Sequence, residues 1–512
     1  MKGYVVLRLV ILNAVLIQFD SLTVDPHQLI DGPEKRWRKL RTNASLACRS
    51  TLVSLIFPKG STVVAQHLPR TLRRLVLANT SVLHGPENLP PNLHCLLLYQ
   101  DPTQHISDDL HVRLLNTQRE YTVDVLPRSL TNLSLNHQFK LSLDDLPPNL
   151  THLSLSSPVK QKMNGKLPEL LTHLTFDYHF NLPFFANQLP INLTHLTLGH
   201  SFNQPLHYLP PGLTHLTLGS AFDQPILKNT LPLGLTNLIF GDKFNQPFFE
   251  DALPPSLTVL TFGRCFNHPL KGVLPANLKH LTLGYWFYGP LKPGDLVFGL
   301  THLSLGWRYG YPILEDVLPS SLTDLVFGNL FNQPLLYLPR GLKRLTLGLS
   351  FNKPILKNHL PSGLTHLVLG DEFVHSLENL SSGLTHLTLG DNFNKPLDNL
   401  PVGLVELVLG ASFNQPLNAL RSSKLKRLVL GQYFNQPVDE LPSSLTHLSL
   451  GYNFDHPVDR LPSSLKHLVL GCCFRHPLKK DCLPSGLEYI VLSAYYSSQT
   501  DHLFPIVIEH KI

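Results

Sequence analysis

Charge is scarce in this sequence. Only 15% of its 512 residues are Asp, Glu, Lys or Arg, against about 25% in an average soluble domain. The net charge of +6 does not by itself call for a nucleic-acid partner. Cysteine is sparse too. Six thiols in 512 residues are too few for a disulfide scaffold. No run of about 18 uncharged apolar residues occurs, so no membrane-spanning helix is expected. P-loop, nucleophile-elbow, HExxH and kinase signatures are missing. No enzymatic activity and no cofactor are therefore expected.

Proline and leucine are abundant. The 43 prolines would interrupt long helices. The 43% hydrophobic content excludes an ordinary disordered chain, which lacks the apolar side chains to offset chain entropy. Length alone suggests several domains of about 150 residues each. A repeat overrides that expectation.

The segment Leu209–Leu231 reads LPPGLTHLTLGSAFDQPILKNTL, and the same pattern, LPxxLTxLxLGxxFNxPL, returns every 20 to 22 residues. The first leucine of the Leu-x-x-Leu-x-Leu core indexes 21 coils, from Leu52 to Leu487. One interval, Leu93 to Leu130, is 37 residues long, so Asp101 to Tyr121 is read as a loop or short helix inserted into one coil. Leu216 and Leu218 alternate with His215 and Thr217, the period of a strand. Gly219 follows, and glycine recurs there in fourteen successive coils from Gly199 to Gly471. It suits a strand end where the chain turns, with positive φ as one reason for its choice. One coil cannot bury its own apolar face, but stacked coils can, with their strands paired in parallel. At about 4.8 Å per strand, the expected body is a single elongated β-rich solenoid roughly 100 Å long, monomeric, with a parallel sheet on one face.

The phenylalanine column (Phe202, Phe222, Phe244, Phe266 and onward to Phe474) is read as a stacked aromatic core rather than a cofactor box. The neighbouring asparagines, among them Asn203, Asn245, Asn267, Asn332 and Asn414, are read as satisfying backbone groups between coils.

These residues resemble the FNIP-repeat family, a leucine-rich-repeat-like class of amoebae and the giant viruses that infect them. The full motif is clear from about Leu171 onward, as in FNQPL at Phe202–Leu206 and Phe413–Leu417. Coils before Leu171 mostly lack the Gly and the FNxP segment, the coil at Leu300 opens with Phe298-Gly299, and Phe373-Val374-His375-Ser376 lacks both Asn and Pro. The resemblance implies an intracellular, cytoplasmic protein-interaction scaffold without catalysis in the repeats. Some family members carry an F-box and act as ubiquitin-ligase substrate adaptors. Trp37-Arg38-Lys39-Leu40 looks like the end of that module, but its Leu-Pro-x-Glu opening is absent from residues 1 to 40.

The expected organisation follows. Residues 1–50 form a cap, a degenerate F-box or a signal-like segment. Residues 51–490 are the solenoid, with an insertion at about 101–121, and residues 491–512 are a C-terminal cap. Met1–Phe19 carries Lys2 and Arg8 before an apolar run, but Asn13 interrupts that run and no A-x-A-like site follows, so secretion stays open as an alternative. The basic stretch Lys35–Arg41 is read as a solvated terminal helix. Cys472, Cys473 and Cys482 with His476 fit no C-x-x-C spacing, and no metal site is expected.

Ten of the 27 histidines stand in one column, two residues after the index leucine. The run His152, His173, His195 and His215 occupies four successive coils. The column faces solvent if Leu216 and Leu218 face in. A metal ladder is conceivable, but no orienting ligand set recurs; a partner-binding face and inert cross-strand stacking are the other readings. The binding face is expected on this run, with a protein partner. If it is not there, the Asp101–Tyr121 insertion is the next candidate.

Overall fold

The computed structural model describes residues 178–479 continuously, then 482–493, 496 and 507–511. Before residue 178 it describes 54–57, 62–65, 68–78, 82–84, 89–99, 126–136, 143, 146–156 and 166–176. The N-terminal segment with Trp37–Leu40, the signal-like run and the insertion Asp101–Tyr121 lie outside the described residues.

The chain divides into two units, Met1–Gly241 and Asp242–Ile512. Each is a parallel β-solenoid of the same coil. In the first unit, strands from Ser54–Phe57 to Asn237–Ile239 pair in parallel, each with the next coil's strand. Cys95–Tyr99 pairs directly with Asn132–Asn136, across the sequence interval that holds the insertion. A second parallel pair, Thr62–Val64 with Val82–His84, lies on the return path of the first coils. In the second unit, parallel pairing runs from Val259–Thr261 to Val507–Lys511.

Strand length follows the glycine. Coils without it have strands of four or five residues, such as His173–Phe176 and His152–Ser156, whereas coils with it have three, such as His215–Thr217. The glycine's role is close approach rather than positive φ. A Cβ on Gly219 would lie 1.7 Å from the Gly199 carbonyl oxygen, and one on Gly284 would lie 1.6 Å from that of Gly263. Left-handed backbone falls instead just before the next Leu-Pro, at Asn229 (φ 63), Asp251 (φ 59) and Gly272 (φ 73). These residue types tolerate that conformation best.

The interior is a set of columns. The index leucines Leu72 through Leu384 are fully buried. Phe202 stacks on Phe222 at 6.1 Å, and Phe331, Phe351, Phe373, Phe393, Phe413, Phe434, Phe454 and Phe474 form an unbroken stack at 6.1–6.4 Å, within the range of favourable aromatic pairs. Tyr309 takes one place in this column, and its buried hydroxyl has no hydrogen-bond partner among the described residues. Burial pushes its phenol up to about 12, offset only in part by the nearby Leu291 backbone.

The asparagines act as read from the sequence. Asn203 Oδ1 accepts the Asp223 amide at 2.9 Å, and Asn394 and Asn414 accept the amides of Asn414 and Asn435 at 3.0 and 2.9 Å. Each side chain thus satisfies a turn amide one coil further on. Val374 carries no side-chain oxygen, so the ladder is interrupted there. At the C-terminal end Tyr496 stacks on Phe474 at 5.9 Å. Its hydroxyl donates to the His476 carbonyl at 3.0 Å and accepts the Leu478 amide at 3.1 Å.

Candidate functional site

The Leu-Thr-His-Leu stretch of each coil places its side chains on alternate sides of the sheet. Leu196 and Leu216 point into the core, while His195, Thr197, His215 and Thr217 stay half-exposed. Parallel register sets His152 opposite His173, His173 opposite His195, and His195 opposite His215. Their rings stack at 4.1, 4.0 and 4.1 Å, tilted by only 12–13°. The four histidines singled out from sequence are therefore one continuous ladder within the first unit.

The threonine before each histidine determines the ring's tautomer. Thr151, Thr172, Thr194 and Thr214 each place Oγ1 3.1 Å from the carbonyl of the threonine one coil back. The same Oγ1 atoms lie 2.9 Å from Nδ1 of the following histidine. A hydroxyl has one proton, and a carbonyl only accepts. Both contacts are bonding only if Oγ1 donates to the carbonyl and Nδ1–H donates to Oγ1. The neutral ring then carries its proton on Nδ1 and an unshared pair on Nε2. Among the described residues these four Nε2 atoms make no hydrogen bond, so the ladder presents a row of acceptors.

Burial first, and neighbouring imidazoles second, hold His173 and His195 below the usual imidazole range. In the second unit the column has a different order. Stacked pairs His280–His302, His366–His386 and His447–His467 alternate with the ion pairs Asp324–Arg344 and Glu406–Arg427. There the Nε2 of His302 lies 3.4 Å from the Asp324 carboxylate, which only accepts, so this nitrogen faces an acid and pairs with it only when the ring is protonated. Among the described residues no group of three or more His, Cys, Asp or Glu side chains is placed to hold a metal ion. Cys95, Cys265, Cys472 and Cys473 are free thiols.

Sequence reading did not find the exposed aromatic and basic corner at Arg264, Tyr285, Trp286, Trp307 and Arg308. These residues occupy the two positions after the column glycine. Aligning the coils on that glycine and reading down the two positions would have shown them together.

Segments 161–201, 202–243, 222–265, 244–286, 287–330, 331–372, 422–452 and 434–473 match the family described as FNIP Repeat. The chain belongs to the FNIP-repeat family. The unmatched interval 373–421 contains the irregular Phe373-Val374-His375-Ser376 coil. Among solved structures, this FNIP-repeat chain is similar to CroV588, described as a novel circular LRR protein. The two are 30% identical over 90% of this chain and 86% of that one, with a TM-score of 0.61. YopM from Yersinia enterocolitica WA-314 is 21% identical over 93% of this chain and 95% of its own, with a TM-score of 0.38. An internalin from Listeria monocytogenes is 17% identical over 62% and 80%, with a TM-score of 0.30. No curated protein sequence matches the chain. No helix among the described residues is long and apolar enough to cross a membrane.

Proposed function

We propose that this FNIP-repeat protein is a non-enzymatic scaffold that binds a protein partner along its sheet face, at the ladder of His152, His173, His195 and His215. The observation that carries the reading is the row of Nε2 acceptors left free by the threonine–histidine bonds. A rigid backbone ladder holds them one coil apart, so a partner with regularly spaced N–H or O–H donors meets acceptors already in place and orders few side chains on binding. Thr197 and Thr217 lie beside the rings and add hydroxyls to the same face. Protonation converts each Nε2 from acceptor to donor, so the face is selective for neutral pH.

The test is a pulldown with the full chain and with a variant carrying His→Ser at all four positions. Serine removes the rings while leaving the leucine core and the threonine–carbonyl bonds in place. The proposal expects a normally folded variant that loses a partner of the parent. A folded variant that keeps every partner rules out this face.

A further inference from the structure

The second unit carries a separate surface at the end of its strands. Arg264, Tyr285 and Trp307 each follow the column glycine, and Trp286 and Arg308 come one residue later. The Arg264 guanidinium lies over the Tyr285 ring at 5.3 Å, and Tyr285 stacks on Trp307 at 5.5 Å. The Arg308 guanidinium lies over Trp286 at 4.4 Å. Three successive coils thus interleave two guanidiniums with three aromatic rings. The backbone fixes this arrangement. The Trp286 amide donates to the Arg264 carbonyl at 2.7 Å, and the Arg308 amide to that of Tyr285 at 3.1 Å.

The patch is solvent-facing, with Trp286 and Trp307 about two-fifths exposed at 40% and 43%. Neither arginine has a carboxylate within ion-pair distance among the described residues. Asp242, one coil before Arg264 in the same column, forms no ion pair with it, and Lys243 beside Asp242 adds a further exposed cation. The guanidinium edges and the two indole N–H groups are donors. Tyr285 is covered by Arg264 and Trp307, and Trp286 by Arg308, which leaves an incoming nucleobase fewer ring faces to stack on. Arg, Trp and Tyr are the residues that dominate protein–protein hot spots.

We infer that this corner docks an acidic segment of a protein partner, whose carboxylates pair with Arg264 and Arg308 and whose remaining atoms cover the aromatic edges. Stacking on rings pre-orients both guanidiniums, so their planar forks are set to meet carboxylates side-on. This surface is independent of the histidine ladder, which lies in the first unit.

The experiment selects binders from a random linear peptide library on the immobilised full chain and on an R264E/R308E variant, with thermal melts showing that both fold. Selected peptides are then titrated by tryptophan fluorescence. Peptides rich in Asp and Glu should be enriched on the parent and lost on the double variant, with binding weakened about tenfold or more. D242K, which removes the exposed acid one coil before Arg264, should tighten binding, and this holds the inference to account even if the double variant misfolds. Oligothymidylate should not displace the peptides. The inference is overturned if enriched peptides show no acidic bias, if both proteins select the same set, or if D242K leaves affinity unchanged. Displacement by oligothymidylate would assign the corner to nucleic acid. Self-association of the parent that R264E/R308E abolishes would assign it to a second copy.

Discussion

Gly219 sits so close to Gly199 that a Cβ on Gly219 would lie 1.7 Å from the Gly199 carbonyl oxygen. The obstacle is backbone, which cannot rotate away. Gly219→Ala must therefore separate two coils, at a cost of about 1–3 kcal/mol or more, as for overpacking. Gly234→Ala meets nothing nearer than the Pro211 carbonyl at 3.8 Å and should fall within about 0.5 kcal/mol of the parent, as a tolerated surface change does. Paired denaturant melts check both. Equal destabilisation would show that coil contact is not why glycine stands in the column.

Phe222 is fully buried and stacks on Phe202 at 6.1 Å with rings nearly parallel. Phe222→Ala should cost about 3–5 kcal/mol, the range for a buried aromatic truncation. Coils couple mainly to their neighbours, so hydrogen exchange should rise first in the coils around Phe222. An unchanged melt would remove the phenylalanine column from the core.

Tyr309 makes the opposite prediction. Its hydroxyl is buried without a hydrogen bond, an arrangement that carries a desolvation penalty of about 1–3 kcal/mol. Tyr309→Phe restores the column's usual residue and should leave stability equal or higher. A clear loss would mean that the hydroxyl has a partner.

Tyr496 keeps the polar contacts that Tyr309 lacks. Besides stacking on Phe474, it bonds the His476 carbonyl and the Leu478 amide. Deleting Ser493–Ile512 removes that ring together with the strand Val507–Lys511, which pairs with Tyr489–Ser493. The truncated chain should aggregate, because its last described coils lose their covering. A soluble, equally stable truncation would reduce the tail to an appendage.

Much of this fold is visible in the sequence because a solenoid writes its contacts at a fixed period. Leu213, Leu216 and Leu218 declare a buried strand face, and Asn203 declares a bond to the next coil. The glycine column was equally visible, but its reason was not, since the collision of Gly219 with Gly199 depends on the distance between coils. The histidine ladder follows from the spacing of His152, His173, His195 and His215. Its tautomer needed the second contact of Thr151, Thr172, Thr194 and Thr214, which exists only across coils. The corner at Arg264, Trp286 and Arg308 occupies only the two positions after the column glycine, so it shows in the sequence only when the coils are aligned on that glycine, while the contacts of its rings and guanidiniums exist only across coils.

The central claim is that neutral Nε2 acceptors on the first unit's ladder hold a partner. The relevant measurement is the affinity of a recovered partner as a function of pH, for the parent and the quadruple His→Ser variant. His173 and His195 titrate below the usual range because of burial and their stacked neighbours. Each therefore binds fewer protons folded than unfolded, and the stability it contributes is present above an unfolded pKa of about 6.5. That contribution is lost as pH falls through the folded value, and partner binding goes with it. The account predicts strong binding by the parent at neutral pH that weakens steeply on acidification, and weak, pH-flat binding by the folded variant. Equal affinities for the two proteins across the pH range would contradict it.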